Sequence, residues 1–104
     1  MRLAQAAVGT GTGTLIYTTP NQFRGDLKDL FIANTTADPI DFALYLVPAG
    51  GTPAADNMIF PNVAIPGNTT VHWSGSQTTN SLDFVQAIGS ALGITVTLSG
   101  DVYR

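Results

Sequence analysis

The chain has no cysteine and no glutamate, and only one lysine and one histidine. Without cysteine there is no disulfide framework and no thiolate metal site, so stability has to come from packing. That suits an intracellular origin. A single histidine, with neither cysteine nor glutamate to join it, is too small a ligand set for zinc. Charged residues are only 11% of the chain, and the bases Arg2, Arg24, Lys28 and Arg104 are scattered. No basic stripe is available to neutralise a run of phosphates, which argues against nucleic acid as a partner. No apolar run approaches the ~18 residues of a helical membrane span. The opening "MRLAQAAVGTGTG" has one arginine and a short apolar patch broken by Gln5, too short for a secretory core.

What is present points to strands. The apolar class is 44% of 104 residues, too much for a disordered chain of such low charge and enough for one core. The acids are all aspartate, a residue of turns and caps, and threonine is the commonest type. Few charges also leave little to keep a lone monomer soluble, which hints at assembly, since surface that becomes interface needs less charge.

Along the chain, short apolar segments alternate with turn signals. Residues 1–13 read as an extended N-terminal arm, its "VGTGTGT" offering no apolar face. It serves either as a strand added to a neighbour's sheet edge or as a frayed terminus. Residues 14–104 read as one domain. "TLIYT" (14–18) is a strand, "NQFRGD" (21–26) a loop, and "LKDLFIAN" (27–34) a strand. "TTADP" (35–39) is a turn, and "IDFALYLV" (40–47) places Ile40, Phe42, Leu44 and Leu46 on one face. The opposite face, Asp41, Ala43, Tyr45 and Val47, is not purely polar, so partial cover is expected there. "PAGGTPAADN" (48–57) is an exposed hairpin tip. "NMIFPNVAIP" (57–66) contains Pro61 and so is an edge strand or two short pieces. "TTVHW" (69–73) sets Val71 and Trp73 opposite His72, and "SGSQTTN" (74–80) reads as a polar turn. "SLDFVQAIGSALG" (81–93) fits a helix through Leu82, Val85 and Ile88. It also fits a strand through Phe84, Gln86 and Ile88 with a turn at Gly89, and the strand is preferred. "GITVTLSG" (93–100) has the alternation of a half-buried antiparallel strand. The fold class is therefore all-β: an antiparallel β-sandwich or jelly-roll-like single domain.

Chemistry is hard to find. The Gly-rich tip lacks the G-x-x-x-x-G-K-[ST] pattern and a following helix, so it is no phosphate cradle. No serine sits in a nucleophile elbow, and His72 on a polar strand face is better explained as a solvent or interface residue. The dispersed aspartates match no calcium loop. The tripeptides "NTT" (34–36 and 68–70) read as turn chemistry rather than glycosylation acceptors, and "RGD" (24–26) as a turn. No catalytic, cofactor-binding or metal residue is assigned, and no cofactor is expected.

The order of segments carries a resemblance. "LIYTTP", "LFIANTTADPIDFALYLVPAGG", "IPGNTTVHWSG" and "ITVTLSGDVY" together resemble small virion proteins of tailed bacteriophages, over residues 14–103. The motifs are turns and strands, and encode fold rather than a catalytic site. Where such proteins often show Gly-Asp before the penultimate strand, this chain has "NSLD" (80–83). The resemblance implies a non-enzymatic capsid decoration (cement) protein, made in the host cytoplasm and carried on the outer surface of the particle. Its partners would be the major capsid protein and its own copies, as a homotrimer, with no membrane involved. The alternative is a tail, neck or baseplate accessory protein, including a host-surface carbohydrate-binding module. The candidate interface residues on this reading are Leu3, Val8, Tyr45, Pro48, His72, Trp73 and Tyr103.

Overall fold

Alternation of apolar and polar side chains governs most of the chain, and the elements that follow from it are strands. The computed structural model describes residues 2–10 and 13–103. The strands are β1 (Arg2–Val8), β2 (Thr14–Thr18), β3 (Arg24–Asn34), β4 (Ile40–Val47), β5 (Met58–Ile65), β6 (Thr69–Thr79), β7 (Phe84–Gly89) and β8 (Ile94–Tyr103). A 3₁₀ turn, Ala55–Asn57, precedes β5. The strands form two four-stranded sheets, ordered β1-β8-β3-β6 and β2-β7-β4-β5, and every pairing is antiparallel.

The register identifies which side chains share a face, because directly opposed residues in an antiparallel pair point the same way. In the first sheet, Ala4, Leu98, Leu30 and Trp73 form one inward row. Ala6, Val96, Ile32 and Val71 form the next. In the second sheet, Ala87 and Leu44 oppose each other facing inward, as do Val85 and Leu46. The buried cluster joins Leu27, Leu30, Ile32, Val96 and Leu98 of one sheet to Ile16, Ile40, Phe42, Leu44 and Val85 of the other. This is sandwich packing, and it uses the face of β4 that alternation marks as apolar.

The structure departs from the sequence reading in three places. Within the segment expected to be an arm, Arg2–Val8 is β1, paired with β8 of the same chain, and Val8 is 2% exposed. Small side chains explain the miss: Ala4 and Ala6 pack against the core but give a weak hydrophobic signal. Residues 1, 11 and 12 of that segment lie outside the described residues. Second, "SGSQTTN" is strand nearly to its end, since β6 runs to Thr79. Its Ser and Thr side chains mimic a turn composition, while its backbone pairs with β3. The local signal at Gly75–Ser76 is a register slip, with Leu27 opposite Gln77 but Asp29 opposite Ser74. Third, β3 begins at Arg24, inside the expected loop. Residues 81–93 hold β7 and the turns either side of it, and no α-helix occurs among the described residues. Pro61 lies in β5, at a sheet edge where a missing N–H is tolerated.

The turns at one end interlock through Asn34, which is 2% exposed. Its side-chain amide donates to the carbonyls of Asp38 (2.8 Å) and Ile65 (3.0 Å). Its Oδ1 accepts from the N–H and hydroxyl of Thr36 at 2.9 and 2.7 Å. The Asn68 N–H donates to the Thr36 carbonyl at 2.7 Å, with Asn68 at φ 52°. Both "NTT" tripeptides are thus parts of one turn network, as asparagine's tolerance of the left-handed region allows. At the other end, Asp83 accepts from the N–H of Ala49 (3.0 Å) and of Asn80 (2.9 Å), tying the 48–57 tip to the turn before β7.

Candidate interaction faces

Each sheet has an outer face, and the two differ in chemistry. On the β1-β8-β3-β6 sheet, one outward row is Gln5, Thr97, Phe31 and His72. The next is Arg2, Ser99, Asp29 and Ser74, and further along Asp101 and Asp26 stand opposite each other beside Thr78. This face is hydroxylated and charged. On the β2-β7-β4-β5 sheet, the outward rows are Thr18, Phe84 and Val47; then Leu15, Gln86, Tyr45 and Met58; then Ile88 and Ala43. Asp41, beside Ala64, is the charged residue of its strands. The cover expected over this side of β4 is partly present: Ala43 and Val47 are buried, and Gly51 in the tip lies against Val47. Leu15, by contrast, is 57% exposed.

The charged face carries one compact side-chain group. His72 stacks on Phe31 with ring centroids 4.3 Å apart and planes within 2°. His72 Nε2 lies 3.0 Å from Asp29 Oδ1. The register slip that sets Asp29 opposite Ser74 aligns these three on adjacent strands. All three are partly exposed, so the His72–Asp29 contact contributes little to stability. Among the described residues no three His, Cys, Asp or Glu side chains gather as a metal site.

Two open depressions, each about 300 Å³, flank the sandwich. One lies between β5 and β6 and is lined by Leu46, Asp56, Asn57, Met58, Ile59 and Gln77. The other lies at Asp41, Ile88, Gly89 and Ser90. Each holds a single carboxylate. Tyr17 faces inward beside Val85. Its hydroxyl is buried with no hydrogen-bond partner among the described residues, and burial pushes its pKa above the usual tyrosine value.

The residues proposed from sequence do not share one surface. Tyr45 is on the apolar outer face. His72 and Tyr103 are on the opposite one. Trp73 points inward, edge-on to Phe60 with centroids 6.3 Å apart. Leu3 packs against the core and Val8 is in it, while Pro48 is exposed at the loop tip. Sequence reasoning missed Phe31 and Asp29 on one face, and Leu15, Phe84 and Ile88 on the other. The alternation of Phe84, Gln86 and Ile88 was visible, but β7 is apolar on both sides, so periodicity alone does not say which side is outside. Comparison with protein-family models, with curated proteins and with solved structures finds no match.

Proposed function

We propose that this chain is a non-enzymatic structural protein of a bacteriophage particle, a decoration protein that binds the outside of the head and stabilises it through inter-subunit contacts. The observation that carries the reading is the contrast between the two outer faces. One is built of hydroxyls and charges suited to water; the other is nearly uncharged and apolar, suited to burial against a partner. The strand order adds support. A chain of eight strands paired as β1-β8-β3-β6 and β2-β7-β4-β5 is compatible with a double-sheet jelly roll, an architecture used in viral capsids and also in lectins. A decoration protein gains strength from number: modest contacts, repeated over a capsid, sum to tight attachment.

Quantifying the chain in purified particles tests this. Hundreds of copies per particle support head decoration, a dozen or fewer indicate a tail or neck position, and absence from the particle refutes a virion role. The carbohydrate-binding reading is favoured by one observation, the exposed Phe31–His72–Asp29 group, which sets an aromatic pair beside a carboxylate. It requires glycan binding by the isolated protein that is lost in both Phe31→Ala and His72→Ala.

A further inference from the structure

Charge is distributed between the two sheets very unevenly. Arg2, Arg24, Asp26, Lys28, Asp29 and Asp101 all lie on strands of the β1-β8-β3-β6 sheet. The strands of the other sheet carry Asp41 alone. A protein with so few charges keeps them where water is and leaves the opposite face bare, with Leu15, Phe84 and Ile88 pointing outward.

We propose that the outer face of the β2-β7-β4-β5 sheet pairs with the same face of a second copy of this chain, forming a twofold dimer. Charge complementarity selects the occupant. Asp41 is the one charge on the strands of this face, so a charged partner finds little to pair with, while a second copy meets its apolar rows with apolar rows. The other outer face is less suited to burial against a copy, because Arg2, Arg24, Asp26, Lys28, Asp29 and Asp101 would have to leave water.

The available area is sufficient. The eleven residues of β3 extend about 36 Å at 3.3 Å per residue, so the strands run along the longest dimension of a molecule measuring 42 × 26 × 18 Å. The outer face of each sheet, with its flanking turns, is therefore a long side of that block. Even the smaller long side, 42 by 18 Å, is about a sixth of the block's area, on the order of 900 Å² of the 5439 Å² accessible surface, against the roughly 800 Å² per partner of a stable interface. A face that pairs with itself closes as a twofold, not as the threefold implied by the phage resemblance. The inference stands apart from the virion reading, since it concerns the isolated chain in solution.

Sedimentation velocity across a concentration series tests it, using the full chain with Leu15→Asp, Ile88→Lys and Tyr103→Asp. Leu15 and Ile88 lie on the face; Tyr103, 42% exposed, lies on the outer face of the other sheet and serves as the control. The unmodified chain and Tyr103→Asp are expected to dimerise alike. Each face variant weakens the dimer roughly tenfold per altered side chain, hence roughly a hundredfold in all, because a twofold interface carries each substitution twice. Thermal melts monitored by circular dichroism establish that the variants fold. Leu15 is 57% exposed, so Leu15→Asp alone decides the matter if Ile88→Lys fails to fold. A monomer at every concentration overturns the proposal. So does a trimer, or a dimer that folded Leu15→Asp leaves unchanged.

Discussion

Replacing Asn34 by aspartate exchanges one amide for a carboxylate and should cost the fold several kcal/mol. Asn34 sits at the end of β3, and its amide nitrogen donates both to Asp38 and, across to the second sheet, to Ile65. A carboxylate has no proton to give either carbonyl and instead sets a negative oxygen against them. Two lost hydrogen bonds, two carbonyls left without this donor and a charge at a site 2% exposed together come to about 3–5 kcal/mol. A domain of this size has only about 5–15 kcal/mol in total, so the variant is marginal at neutral pH.

The penalty should also depend on pH with a definite sign. Burial and the facing carbonyls raise the carboxyl's folded-state pKa above its ordinary, unfolded value. Above the folded pKa the full cost is felt. As pH falls through it towards the unfolded value, the folded state takes up a proton, regains a donor and recovers stability. Asn34→Ala loses these two bonds and also the two that Oδ1 accepts from Thr36, but it adds no charge, so its deficit, about 3 kcal/mol or more, stays flat with pH relative to the unmodified chain. Urea unfolding of all three proteins at neutral and mildly acid pH measures this. An Asn34→Asp protein within about 1 kcal/mol of the original, or one whose deficit ignores pH, refutes the node as described.

Three further outcomes are expected. Leu82 holds φ 65° in the turn closed by the Asp83 N–H to the Asn80 carbonyl, and it is exposed, so Leu82→Gly should relieve backbone strain and stabilise by about 1 kcal/mol in thermal unfolding. Gly100 in β8 leaves no room for a Cβ against the Asp26 carbonyl, and Gly100→Ala should destabilise by about 2 kcal/mol or more, with a loss of soluble yield. Tyr17→Phe removes a buried hydroxyl that lacks a partner and should leave stability unchanged or improved. Because the folded-state pKa of Tyr17 is raised by burial, the unfolded chain ionises first, so the original protein loses stability as pH rises above about 10 and Tyr17→Phe loses less.

Local pattern was legible where one face of a strand is buried and the other wet. β4 and β8 show this: Ile40, Phe42 and Leu44, and likewise Ile94, Val96 and Leu98, alternate and are all buried. The pattern failed where chemistry and conformation part company. Small alanines hid β1, and hydroxyl-rich residues disguised the second half of β6 as a turn. Pairing was legible only at the 48–57 hairpin, which joins β4 to β5. β1 joins β8 and β3 joins both β8 and β6, so most neighbours in space are far apart in sequence. The candidate site suffered most. Its residues were chosen as aromatic or exposed types, but whether a strand residue faces core or water depends on a register that only the partner strand sets. Trp73 and His72, neighbours in the chain, therefore end on opposite sides of one sheet.

Low overall charge is a weak argument for assembly, because a small core-rich domain can be sparsely charged and still monomeric. Its distribution is a stronger one. Had the same charges been spread over both sheets, each outer face would be diluted equally and neither would need a partner. Instead β3 alone carries Arg24, Asp26, Lys28 and Asp29, while β7 and β2 carry none. Apart from β4 and β5, successive strands belong to different sheets, so although four of the charges sit together in β3, the uncharged strands do not form one block of sequence. The segregation arises because the pairing order gathers uncharged segments, distant in sequence, onto one side. An outer sheet face left to water gains solubility from each charge at an outward position. A bare face is the expected state of a surface that spends its working life covered.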